Sequence, residues 1–232
     1  MPSPLTINYN FRFRNGEKRE ILLRFDKDNL ALLPAERHTP PEWAKLTLHR
    51  CVRCPLDPAL HPHCPMALDL SEIVNIFHEH NSFDEVSVEV TENRRRYLKQ
   101  TSLQEGLSSL LGVIMAAGGC PVLEPLRPMV RFHLPFATIE ETEFRMVSMY
   151  LVAQFLRQKR GEEPDWGLDG LQTIYARIQE VNTSFVKRIR AAGENDAGIN
   201  AIVILDCFAH AVPYAVKTLM RDYEKYFAPY SE

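Results

Sequence analysis

Residues 51–65 set the strongest constraint on how this chain can fold, because proline removes a backbone donor and fixes φ wherever it stands. Pro55, Pro58, Pro62 and Pro65 are interleaved there with Cys51, Cys54, His61, His63 and Cys64. Such a segment makes few backbone hydrogen bonds of its own and needs an anchor from elsewhere. Three cysteines and two histidines within fourteen residues offer one. A Cys-x2-Cys pair brings two thiolates to one soft ion from a tight turn, and a later Cys with a nearby His closes the tetrahedron. The spacing predicts a zinc site made by Cys51, Cys54, His61 and Cys64, with His63 as the substitute ligand or as a hydrogen-bond partner to one. A closed four-ligand set points to a structural role rather than a catalytic one, which needs a position open to water.

An iron-sulfur version uses different ligands. Cysteine precedes proline at Cys54-Pro55, Cys64-Pro65 and Cys120-Pro121. If Cys120 meets the earlier segment, four thiolates could hold a cluster, since such centres favour all-cysteine ligation. A thioredoxin-like role for Cys51 and Cys54 lacks the preceding parallel strand and the helix starting at the first Cys. The odd count of five cysteines reads as reduced thiols. Met1–Thr6 carries no secretory pattern, so a cytoplasmic location is expected. No apolar run approaches the ~18 residues of a membrane span. The most apolar segment, 199–216, is interrupted by Asp206 and His210. Lys+Arg 27 against Asp+Glu 30 leaves a net charge of -3, which creates no global field to gather nucleic acid or an anionic membrane.

With 232 residues the chain can bury a core without help from a metal. Leu5 to Phe13 alternates apolar and polar residues, Asn15-Gly16 supplies a turn, and Glu20 to Phe25 returns. Asp84 to Thr91, with Val86, Val88 and Val90 on one face, makes a third strand. A short helix begins at Ser71-Glu72 and carries Ile73, Ile76 and Phe77. Thr101 or Ser102 caps a helix whose Leu103, Leu107, Leu110, Leu111, Ile114 and Met115 form one stripe, ended by Gly118-Gly119. A further helix runs from about Thr138 to Gly161, with Glu140 and Glu141 in its first turn. Two more run from about Leu168 to Ala192 and from about Ala197 to Tyr226, the last bent at Pro213. The expected fold is therefore α+β: a small antiparallel three-stranded sheet with a metal-binding insertion, packed on a mostly helical, bundle-like C-terminal part. Residues 1–98 read as a small α+β domain with its Cys/His loop at 51–66, and residues 99–232 as a helical domain of about four helices.

Polar residues in apolar company suggest a second site. Asp206 and His210, at i and i+4, project from one face of the most apolar helix. With His133, Glu140 and Arg145 they could form a catalytic pocket in which Asp orients His as a general base and Arg145 holds an anionic substrate. The competing account ties Asp206 to Arg131 or Arg145 in a packing ion pair and leaves His210 bonded to backbone. Arg94, Arg95, Arg96 and Lys99 form a basic patch around Tyr97. It could contact phosphate, but such runs more often blunt a sheet edge, and nucleic acid is not an expected partner. The helical part, with Met146, Met149 and Phe155, could pair with a protein partner or a second copy. No dinucleotide, P-loop, serine-hydrolase or zincin motif occurs.

Several stretches together carry a resemblance: CVRCPLDPALHPHCPMA at Cys51 to Ala67, TSLQEGLSSLLGVIM at Thr101 to Met115, Gly119-Cys120-Pro121, and PMVRFHLPFATIEETEFR at Pro128 to Arg145. The chain resembles an uncharacterised family of bacterial proteins along most of its length. The resemblance implies a bacterial, intracellular setting and assigns no activity. The residues themselves lead to a metal-stabilised cytoplasmic binding or regulatory protein. The alternatives are a small-molecule enzyme with a His/Asp/Glu pocket, or an iron-sulfur redox or sensor protein.

Overall fold

Alternation of apolar and polar residues along β1 (Leu5–Phe13) sends Leu5, Ile7, Tyr9, Phe11 and Phe13 to one buried face. In the computed structural model, which describes residues 4–34, 39–191, 199–200, 202–203, 205–206, 209 and 223–230, this strand is central. β2 (Lys18–Phe25) and β3 (Glu85–Glu92) flank it, and the sheet order is β2-β1-β3-β4, antiparallel throughout. Tyr9 stands between Ile21 and Val90, and Phe11 faces Val88. Gly16, at φ 87, takes the left-handed turn position that a side chain disfavours.

The sheet has four strands, not the three expected. β4 (Arg95–Ser102) pairs with β3 along its whole length after a tight turn at Asn93, whose φ is 46. Asparagine tolerates that left-handed geometry. The sequence RRYLKQTS carries no apolar alternation because this edge strand is largely exposed on both faces. Arg95, Arg96 and Lys99 thus lie on a strand rather than beside one, where charge discourages further pairing.

Helices cover the apolar face alone. α1 (Pro65–Ile76) begins six residues before the expected Ser71. Its first residue is the last proline of the Cys/His segment, and proline at the first helical position forfeits a donor that would have no partner anyway. Met66, Leu70, Ile73 and Val74 face inward, and Phe77 meets Phe11 edge-on at 5.0 Å between ring centroids. α2 (Leu103–Ala117) follows β4 directly and packs on β3 and β4. Gly106 permits the approach, since a Cβ there would stand 2.9 Å from side-chain carbons of both Phe11 and Val88. A one-turn α3 (Pro128–Arg131) leads to α4 (Ile139–Lys159), capped by a reciprocal Thr138–Glu141 pair. α5 (Asp169–Ala191) buries Leu171, Tyr175, Ile178, Phe185 and Ile189 at helical spacing. The expected last helix falls largely outside the described residues, as does His210. Buried side chains of the sheet and helices form one cluster, and the 98/99 boundary lies inside β4. Among the described residues no helix is long and apolar enough to cross a membrane.

Candidate functional site

The proline-rich segment is held by groups that its own main chain could not provide. The Cys64 N–H donates to the Ala44 carbonyl at 2.8 Å and the Leu46 N–H to that of Pro62 at 2.9 Å, around a bridge pairing Lys45 with His63. Cys54 N–H closes the Cys-x2-Cys turn on the Cys51 carbonyl at 3.1 Å. The Arg50 guanidinium donates to the carbonyls of Cys54 and Leu56 at 3.0 and 2.7 Å, replacing backbone donors.

Cys120 joins this segment because α2 ends in two glycines. A Cβ on Gly119 would lie 3.0 Å from the Pro65 Cβ, and one on Gly118 would lie 2.8 Å from an Asp69 carboxylate oxygen. With neither present, the chain leaving α2 runs against the first turns of α1, next to Cys64. The thiols then act on one another: Cys51 responds to Cys64 and Cys54, Cys64 to Cys54, and Cys120 to Cys64 and Cys51. Burial raises the thiol pKa of Cys51 and Cys64 and pushes that of Cys120 up to about 11. Hydrogen bonds oppose it, from the Ser184 hydroxyl to Cys51, from the Ala67 and Met66 N–H groups to Cys64, and from Val122 and Leu123 N–H to Cys120.

Arg188 of α5 stands beside these sulfurs. It is 2% exposed and donates to the carbonyls of Trp43 and Lys45 at 2.7 and 2.6 Å. Among the described residues no carboxylate pairs with it, and its electrostatic neighbours are Cys64, Cys51 and Cys54. His61 is exposed, and His63 takes part through its backbone. Among the described residues no group of three or more His, Cys, Asp or Glu side chains stands ready to hold a metal ion.

A cavity of about 400 Å³ opens between α2, the 123–137 segment, α4 and α5. Val113, Ala116, Leu126, Met129, Met146 and Ile178 give it apolar walls, while His133, Arg145, Ser109 and Asn182 add polar groups. His133 Nε2 lies 2.6 Å from the Tyr9 hydroxyl, which lies 3.0 Å from Ser109 Oγ. Burial, helped by the Arg145 charge, drives the His133 pKa down to about 3, so the imidazole is neutral at ordinary pH. Arg145 donates to the Phe132 carbonyl and has no carboxylate at ion-pair distance among the described residues. Asn182 is 1% exposed and its Oδ1 has no hydrogen-bond partner.

Of the residues considered for a catalytic pocket, His133 and Arg145 line this cavity. Glu140 is exposed, its carbonyl accepting from the Tyr223 hydroxyl at 3.3 Å, and Asp206 is half-buried beside the lining residue Leu205. Sequence reasoning missed Tyr9, Ser109 and Asn182. Tyr9 reads as one more apolar strand position; Asn182, a lone amide between Ile178 and Phe185 on an otherwise apolar stripe, was a detectable signal. In the basic patch, Arg96 pairs with Glu89 at 3.5 Å and Lys99 with Glu105 at 3.4 Å.

These features define an α+β protein whose four-stranded antiparallel sheet is backed by helices, with thiols in electrostatic reach of one another on one flank and an apolar cavity in the helical layer. The chain belongs to the family described as Domain of unknown function (DUF6901), whose model matches residues 7–228. No curated protein and no solved structure matches it.

Proposed function

We propose that this protein is a metal-stabilised binding module in which Cys51, Cys54, Cys64 and Cys120 hold one zinc ion and the helical layer receives a ligand. The observation that carries the reading is the approach of Gly119 to Pro65, which sets Cys120 within electrostatic reach of Cys64 and Cys51. All-sulfur sets suit zinc in closed structural sites. Arg188 adds support: a buried guanidinium needs an anion, and four thiolates around a divalent ion carry net negative charge. The bound metal supplies a tether, drawing the sulfurs into bonding distance and fastening 51–65 to α1 and α2. In this assignment Cys120 takes the position that spacing alone gave to His61 or His63. Reduced thiols agree with a bacterial cytoplasmic setting. A protein partner or a second copy would meet α4 where Val152, Phe155 and Leu156 are exposed, and sedimentation would read that association.

One observation favours an iron-sulfur cluster as the second reading. Backbone N–H groups reach the sulfurs of Cys64 and Cys120, and such bonds tune cluster potentials. The enzyme reading has less support, because His133 is already bonded to Tyr9 and Glu140 is exposed. Anaerobic purification with metal and acid-labile sulfide analysis decides. About one zinc per chain without sulfide, lost in Cys120→Ser, is the expected result. Iron with sulfide would replace the clamp with a redox or sensing role, and neither metal would sink the proposal.

A further inference from the structure

We infer that the cavity between α2, α4 and α5 binds a medium-chain carboxylate, an extended apolar tail with a monoanionic head held by Arg145 and Asn182. The inference rests on the cavity being a ligand site and is independent of the metal. A volume of about 400 Å³ lies at the lower end of small-molecule sites. Its walls of Val113, Ala116, Leu126, Met129 and Ile178 suit a hydrocarbon better than a sugar or nucleotide, whose polar groups would lose water without replacement.

Charge counting defines the head. Lys99 and Glu105, both on the lining, neutralise each other at 3.4 Å. His133 is neutral and already bonded to Tyr9. Arg145 remains, with one carbonyl partner, Phe132, and no carboxylate at ion-pair distance among the described residues; the charge of Glu141, engaged in the α4 cap, acts on it from further away. Among the described lining residues it is the cation without an ion-pair partner, so the apolar chamber recognises a negative charge there, and the planar fork of arginine matches a carboxylate. Asn182 makes no side-chain hydrogen bond among the described residues while almost fully buried. Buried amides are normally satisfied. Either end of the amide can be presented by a half-turn about its last torsion, so its N–H can complete the head-group contact.

The test is calorimetric titration of the full-length protein, carrying whatever metal it purifies with, with dodecanoate, dodecanol and dodecylammonium. One dodecanoate per chain is expected, with the alcohol bound at least about tenfold more weakly and the ammonium not detectably. Arg145→Gln should lower dodecanoate affinity about tenfold and leave the alcohol unchanged, whereas Ala116→Leu, which fills the chamber, should weaken both. Thermal melts without ligand show whether each variant is folded. If either is not, the head-group comparison on the wild-type protein decides alone. Equal affinity for all three heads, or several equivalents bound regardless of Ala116→Leu, overturns the carboxylate assignment. Binding by none of them at about 1 mM overturns the cavity reading as well. Neither result bears on the metal content, which tests the cysteine site separately.

Discussion

His133 is neutral because the fold removes it from water and sets Arg145 nearby. Its pKa lies at about 3 in the folded protein against an ordinary 6.5. Between those values the unfolded chain binds a proton that the native state refuses, so stability is complete above about pH 6.5 and declines as pH falls toward 3. The slope reaches at most about 1.4 kcal/mol per pH unit from this group. Urea unfolding between about pH 4 and pH 7 should show a steeper acid loss for the wild type than for His133→Gln. Parallel curves would mean that the imidazole takes up its proton without unfolding. His133 was visible in the sequence as a candidate; its partner Tyr9 was not, because a tyrosine in an alternating strand looks like any other core residue.

The helices divide into those that local residues specify and those that need neighbours. α4 begins where Thr138 and Glu141 exchange side-chain and backbone hydrogen bonds, a start legible in the sequence. Thr138→Ala should cost about 1 kcal/mol, measured by chemical denaturation. The junction of α2 with α1 is different in kind. Gly119→Ala places a methyl 3.0 Å from the Pro65 Cβ, so the chain must shift where Cys120 follows. Metal retention against a competing chelator should fall severalfold in Gly119→Ala, with little change in Gly16→Asn, a turn residue with no neighbour within 4 Å. Equal retention in both would show that the Gly119 approach does not position the site. β4 escaped sequence reading because an edge strand need not alternate, and the start of α1 was placed late because its first proline was counted with the loop before it.

Across the whole molecule, one buried cluster runs from the sheet through α1, α2 and α5, whereas the 44–64 segment adds only Ala44, Leu48, Cys51 and Cys64 to that packing, buries Leu46, and is otherwise held by a few hydrogen bonds, the Arg53–Glu180 ion pair and Arg188. With zinc bound as proposed, the two should therefore respond differently to its removal. Chelation should accelerate amide exchange at Leu46 and Cys64, whose donors close that segment, and leave Tyr9 and Val88 in the central strands protected. Hydrogen-exchange mass spectrometry reads both, and uniform protection before and after chelation would remove the clamp. The stability of the core should not depend on the proposed clamp, because of the forty buried side chains in the cluster only Ala44 belongs to the 44–64 segment; burying an apolar side chain is worth about 1.5–3 kcal/mol, and that gain needs no ligand.

Period and local chemistry determined what the sequence alone could determine: three strands from alternation, α2 and α5 from apolar stripes, the start of α4 from its cap, and the density of thiols in one proline-rich stretch. These signals act over a few residues, so a linear reading finds them. Tertiary structure decided the rest. Cys120 is brought to Cys64 by two glycines that let α2 end against α1, Arg188 reaches Cys51, Cys54 and Cys64 from a helix more than a hundred residues further along the chain, and His133, bonded to Tyr9 of a strand, lines one cavity with Asn182 of a helix. Such encounters depend on how apolar faces stack and how closely backbones approach, quantities set by packing in three dimensions and carried by no single stretch of sequence.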